Sequence, residues 1–402
     1  ESDVTIGGGS TTGAITLQSD SIIDLNAGVQ SSGALAIEPI TVSTTIGVGD
    51  SSTGSLFLDN TSLGNLTDGF SGITIGLTTG TGAMDVRANA FNDPITLQSW
   101  GSGGTVTVNG AVSTSGSDAL TIRGGQAVDL QAGLTTVGGA LTLRGNVDGA
   151  GDAITTGSNF IGIDLNGNTI TSATGAIDVQ GRGGTTGNSN YGVSMSTAGS
   201  TISSTGTGGS VGTVTVKGTG GSNSGAIGVF MSGSSITSVD GNIDLTGTGN
   251  ATATGGGNLG LLVAGSQITS TGTGANAGTI TINSTGGGGI AGNEGMLLAS
   301  GASAASITSV DGDIDITANA GGATFASTHG LDFISGTISS TGTTSDAATI
   351  TINGTGANSA LFQSYGAKIQ GGISSVIGNI SVTGTAGSGG TNSSIGLFVG
   401  GT

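Results

Sequence analysis

The C-terminal part of the chain repeats one pattern of apolar and polar positions seven times. TITSATGAIDVQG at 169–181, TISSTGTGGSVGTVTVKG at 201–218 and SITSVDGNIDLTG at 235–247 share it with four further copies, at 267–284, 306–318, 337–354 and 372–384. Each copy begins with an I-[ST]-S triplet, at Ile170, Ile202, Ile236, Ile268, Ile307, Ile338 and Ile373. An apolar-x-apolar triplet follows, at Ile177, Val214, Ile243, Ile280, Ile314, Ile350 and Ile380. A third patch starts at Gly192, Gly228, Gly260, Gly295, Gly330 and Gly396, with Ala360-Leu361 as its variant. Alternation of period two, bounded by Gly, Asn, Asp and Ser, predicts three short strands per copy. No segment carries a 3.6-residue period, and glycine is too frequent for helix interiors.

None of these strands can bury its apolar side alone. Stacking successive copies buries one core, so the expected fold is an all-β parallel β-helix (β-solenoid) with three strands per coil. Six steps carry the second patch from Ile177 to Ile380, about 34 residues per copy. First patch to second takes 7 residues in the first, third, fifth and seventh copies and 12 in the others, so a longer loop recurs on every second coil. The middle residue of the second patch is expected to face outward: Asp178, Thr215, Asp244, Thr281, Asp315, Thr351, Ser381. At a strand spacing of about 4.8 Å, carboxylates on every coil would repel, and alternating threonine doubles their separation. That is a physical reason for a two-coil unit.

The first part of the chain uses a shorter period, with matching strands expected at Ile15 and Leu35 and again at Leu120 and Leu141. Residues 1–160 are thus expected to form coils of about 20–21 residues, and 161–402 the longer coils, as one continuous solenoid of about 14–15 coils and roughly 70 Å. GAITLQSDSIIDLNAGVQSSGALAI and GSLFLDNTSLGNLTDGFSGITIGLTTGTGAMDV resemble the β-strand repeats of filamentous-haemagglutinin-like exoproteins, bacterial secreted β-helix adhesins, and residues 169–402 are similar to their variable repeat tracts. The resemblance implies a right-handed β-helix, an extracellular or cell-surface location, attachment or aggregation, and two-partner or autotransporter export. The family's secretion domain would lie upstream.

Composition narrows the function classes. The 402 residues include 85 Gly and no Cys, which removes disulfides and thiolate metal sites. Charged residues make up only 7%, yet 34% are hydrophobic, too many for a disordered acidic chain. Six basic residues against 24 acidic ones give −18, a surface that repels nucleic acid and anionic membranes. No apolar run is long enough to span a bilayer. ESDVTIGGGS has neither an initiator Met nor a signal peptide and is expected to open a mature or excised piece. IGLFVGGT at 395–402 finishes a third patch without a cap, which is expected to continue into more chain or to dock on another subunit.

Candidate chemistry is sparse. The bases Arg87, Arg123, Arg144, Arg182, Lys217 and Lys368 look scattered, and His329 is expected to be a corner residue. No catalytic or cofactor-binding residue stands out, so the expected role is a structural or adhesive fibre: a surface filament, adhesin stalk or biofilm-matrix component. The alternative is a polysaccharide-binding or polysaccharide-degrading β-helix, which would need three or more acids or bases converging in a groove. Asp311, Asp313 and Asp315, at alternate positions in DGDID, are candidate Ca²⁺ ligands, and the competing reading is a solvated Asp-Gly turn. The triplets around Thr215, Thr281 and Thr351 invite an ice-binding reading, which Asp on alternate coils interrupts. In the third patch, Phe230, Leu262, Leu297, Phe362 and Phe398 are expected to form an outward apolar stripe for lateral self-association, with Ser194 and Asp332 as polar exceptions. The partners expected are further copies of the chain, end to end or side by side, and a host or neighbouring-cell surface or glycan.

Overall fold

Aliphatic residues at every second position, with glycine-rich corners between, fold the chain as a parallel β-helix. The computed structural model describes residues 5–322, 328–343, 347–358, 364–387 and 394–401. The three expected patches become three stacks of parallel strands. The contacts divide the chain into two compact units, 1–155 with 170–177, and 156–169 with 178–402.

In the first unit the second-patch stack holds Ile15–Gln18, Ala34–Glu38, Gly72–Leu77, Ile95–Ser99, Leu120–Gly124 and Leu141–Gly145. Ile15 pairs with Leu35 and Leu120 with Leu141, as the repeat requires. The coil period is less uniform than expected. Leu35 pairs directly with Ile73, because the step between them carries two third-patch strands, Ile46–Val48 and Leu56–Leu58, and the one-turn helix Asn60–Gly64. Asp59 caps that helix by accepting the Ser62 N–H at 2.7 Å. A uniform short period would count that stretch as two coils.

In the second unit the second-patch strands Val214–Thr219, Ile243–Thr248, Ile280–Thr285, Ile314–Asn319, Ile350–Thr355 and Ile380–Thr385 pair without a break in register. The first patch does the same, from Ile202 through Ile236, Ile268, Ile307 and Ile338 to Ile373. Inward residues such as Ile243, Ile280, Ile282 and Ile314 are fully buried. The outward row Thr215, Asp244, Thr281, Asp315, Thr351, Ser381 stands opposite itself from coil to coil, so Asp and Thr do alternate.

One corner admits only glycine. In the second unit the described third-patch strands are entered through Gly162, Gly192, Gly228, Gly260, Gly295, Gly330, Gly366 or Gly396, where the chain turns against its neighbours. A Cβ on Gly228 would fall on the Thr248 nitrogen and lie 2.5 Å from the Gly260 oxygen, backbone atoms that cannot swing aside. This column corrects the reading of the sixth copy. There Ala367, after Gly366, pairs with Leu331 and Leu397, and Ala360-Leu361 lies outside the described residues.

Gly228→Ala is expected to destabilise the second unit by about 1–3 kcal/mol through overpacking. Gly149→Ala, where an added Cβ meets nothing within 4 Å, is expected to stay within about 0.5 kcal/mol of the parent in the same denaturant titration.

Candidate functional site

The third-patch strands place their side chains by alternation. Val229, Met231, Leu261, Val263, Met296, Leu298, Leu331 and Phe333 point inward and are fully buried. The residues between them form one outward row, paired in the order Ser194, Phe230, Leu262, Leu297, Asp332, Lys368, Phe398. Phe230, Leu262 and Leu297 therefore stand on neighbouring coils, Phe398 stands three coils beyond Leu297, and all four are half-buried. Phe362 lies outside the described residues, and Lys368 holds its coil's place in the row.

A second row flanks the first. It consists of residues that directly precede a corner glycine, Tyr191, Ile227, Leu259, Glu294, His329 and Tyr365, whose carbonyls accept the corner N–H of the preceding coil, from Gly162 through Gly330. Tyr191 stacks on Phe230 with ring centroids 4.7 Å apart. His329 lies 4.8 Å from the Tyr365 ring, and Tyr365 lies 5.5 Å from Phe398.

Where the rows turn polar, four titratable groups converge. Lys368 Nζ is 3.2 Å from Asp332 Oδ1. Burial pushes the Glu294 carboxyl up to about 7; the Asp332 charge adds to the shift and Lys368 opposes it. Burial also lowers the pKa of His329, against the pull of Asp332. His329 is thus more than a corner residue: its Nδ1 accepts the Tyr365 backbone N–H at 3.2 Å, tying two coils together. A proton on Nδ1 would break that bond. The Glu294 carboxyl is therefore partly neutral near pH 7.

The loops leading into this sheet are pinned from inside by asparagines that sequence reasoning missed. Asn258 is fully buried. Its Oδ1 accepts the Ala226 N–H, and its Nδ2 donates to the Gly255 and Gly288 carbonyls. Asn293 repeats the role one coil on, accepting the Asn258 N–H and donating to the Gly322 carbonyl. The available signal was N-x-G, at Asn190, Asn258 and Asn293, directly before a third patch.

The candidate calcium ligands go separate ways. Asp311 Oδ2 accepts the Gly274 N–H at 2.7 Å, from the long loop of the preceding coil, and its Oδ1 packs against Gly342 of the following one. Asp313 is exposed and accepts the Thr349 N–H, while Asp315 stands in the outward row between Thr281 and Thr351. Asn242 does for Thr279 what Asp313 does for Thr349, so that position needs an acceptor and not a charge. Asp240 repeats the Asp311 bracket, accepting the Gly208 N–H and meeting Gly272. Among the described residues, no three His, Asp or Glu side chains are grouped to hold a metal ion.

Two of the bases also prove to be neighbours. Gln98, Arg123 and Arg144 pair on successive coils of the first unit, and the Arg123 guanidinium lies 4.6 Å over the Trp100 ring. Burial and the Arg144 charge lower the Arg123 pKa.

Asp311→Ala is expected to cost the adjoining coils about 1–3 kcal/mol of local stability, read as faster hydrogen exchange at the Gly274 amide. Asp311→Asn, which keeps an acceptor, is expected to retain most of the protection. The raised Glu294 pKa stabilises fully below about pH 4.5 and is lost as pH rises through about 7. His329 acts oppositely: its contribution is present above 6.5 and is lost as pH falls through its lowered value. Amide protection factors around 294–296, taken relative to the intrinsic exchange rate at each pH, are therefore expected to fall between pH 5 and 8, and Glu294→Gln is expected to flatten that fall.

Comparison with family models, with curated proteins and with solved structures gives no match to this chain.

Proposed function

We propose that the chain is an extracellular structural or adhesive β-solenoid of a bacterial cell surface, serving as filament, adhesin stalk or matrix fibre and working without catalysis. The observation that carries this reading is the unbroken register of the second unit in all three stacks, which repeats the same outward rows on coil after coil. Such rows offer many equivalent weak contacts, which suits attachment by multivalency. The likeness in repeat style to filamentous-haemagglutinin-like exoproteins supports the same reading, including two-partner export and contact with neighbouring cells or glycans.

A second reading, a polysaccharide-acting β-helix, draws on Glu294, His329, Asp332 and Lys368. It requires that Glu294→Gln or Asp332→Asn abolish turnover or binding of a soluble glycan without unfolding the chain.

Electron microscopy of cells producing the protein, with antibody raised to the folded chain, tests the first reading. Labelled fibres or a labelled surface coat are expected, together with loss of cell-to-cell attachment when the gene is deleted. Label confined to the cytoplasm, or unchanged attachment in the deletion strain, would overturn it.

A further inference from the structure

Two outward rows keep like charges apart from coil to coil. Asp244, Thr281 and Asp315 alternate in one, and Asp85, Thr107 and Asp129 in the other. Cations break that rule in the first unit. Arg123 pairs in register with Arg144 of the next coil, so their side chains leave the same sheet face about 4.8 Å apart. Both are partly exposed.

Each cation is fixed in place by its surroundings. Arg144 Nη1 donates to the Leu143 carbonyl at 3.0 Å. The Arg123 guanidinium lies 4.6 Å over the Trp100 ring, and Trp100 is held in turn by its Nε1, which donates to the Val147 carbonyl at 3.0 Å. Arg123 Nε is shut off from solvent and finds no acceptor. On the preceding coil, Gln98 donates its amide N–H to the Gly76 carbonyl and supplies Arg123 with nothing. Among the described residues, no carboxylate forms an ion pair with Arg123.

We propose that Arg123 and Arg144, beside the Trp100 ring, form a binding site for a carboxylate group brought by a ligand. Two neighbouring cations repel when nothing lies between them. One anion turns that repulsion into two attractions, and the guanidinium fork matches a carboxylate with paired N–H···O bonds. The chain's own charge selects the anion: −18 opposes a dianion twice as strongly as a monoanion. At physiological salt that field is screened beyond about 8 Å, whereas the two guanidiniums act at contact. Trp100 borders the pair with apolar surface, which suits a carboxylate on a carbon frame over a bare inorganic ion. Two sources share this chemistry, a free small carboxylate and a uronic-acid residue of a glycan. The site deepens the structural reading given above and rests on it for the second source.

Trp100 is the one tryptophan of the chain, so its fluorescence reports on this site alone. The test is quenching of the full chain by iodide and by caesium at matched ionic strength, each normalised to free N-acetyltryptophanamide. A chain of charge −18 should repel iodide and attract caesium. At Trp100 the reverse is expected: an iodide-to-caesium ratio above one, falling below one in Arg123→Gln and in Arg144→Gln. A variant that merely loosens the fold raises both constants and leaves the ratio in place. Sodium galacturonate replacing sodium chloride is expected to protect wild type from iodide, and neutral galactose is not. A ratio below one in wild type, a ratio the variants leave unchanged, or equal protection by galactose would each overturn the site. Protection by polygalacturonate at a lower uronate concentration than the monomer supports the site and assigns it to a glycan; equal protection supports it and assigns it to free carboxylates. If the ratio fails while cells still carry the labelled surface coat, the site falls and the structural reading stands. If the ratio holds and no surface label is found, the structural reading falls and the site stands.

Discussion

Parallel backbone pairing without any shift between coils is the constraint on which everything else in the second unit depends. A slip of one residue would turn each buried isoleucine outward and each threonine or aspartate inward. Because all three stacks keep register together, an error in one corner would propagate to the other two. The glycine corners, the asparagines of the loops and the Asp–loop brackets all hold that register, by steric exclusion in the first case and by hydrogen bonds between coils in the others. Hydrophobic burial supplies the driving force, and these devices supply the specificity.

The fold was legible because its signal is periodic. Ile202, Ile236 and Ile268 had to be equivalent, and equivalence in a solenoid means contact between neighbours. Local departures were harder to see. The first-unit step from Leu35 to Ile73 contains no repeat of its own to mark the extra strand, so a constant period overcounted the coils. Ala360-Leu361 imitates a small residue followed by an apolar one, whereas the true equivalent, Gly366-Ala367, is identified by a clash that only coordinates reveal.

The polar positions were legible in kind but not in role. Asp311, Asp313 and Asp315 alternate as a metal-binding strand would. Their partners lie a full coil away in opposite directions, at Gly274 and Thr349, and no local motif records that. Glu294, His329, Asp332 and Lys368 are spread over 75 residues of sequence and become neighbours only once the length of each coil is fixed. Bases that look scattered along a chain converge when their spacing matches the coil length.

The Asp brackets bear on how such a chain can change its length. Asp240 and Asp311 each sit on a short coil, hold the long loop behind them and require a bare glycine on the long coil ahead. Excising one coil by recombination between repeats would bring two long loops against each other with no carboxylate between, or two Asp turns with no loop to hold. Excising or duplicating a short–long pair would leave every bracket intact. Where the brackets operate, chain length is therefore free to drift in units of two coils, and a gene of this kind should lengthen and shorten by even counts.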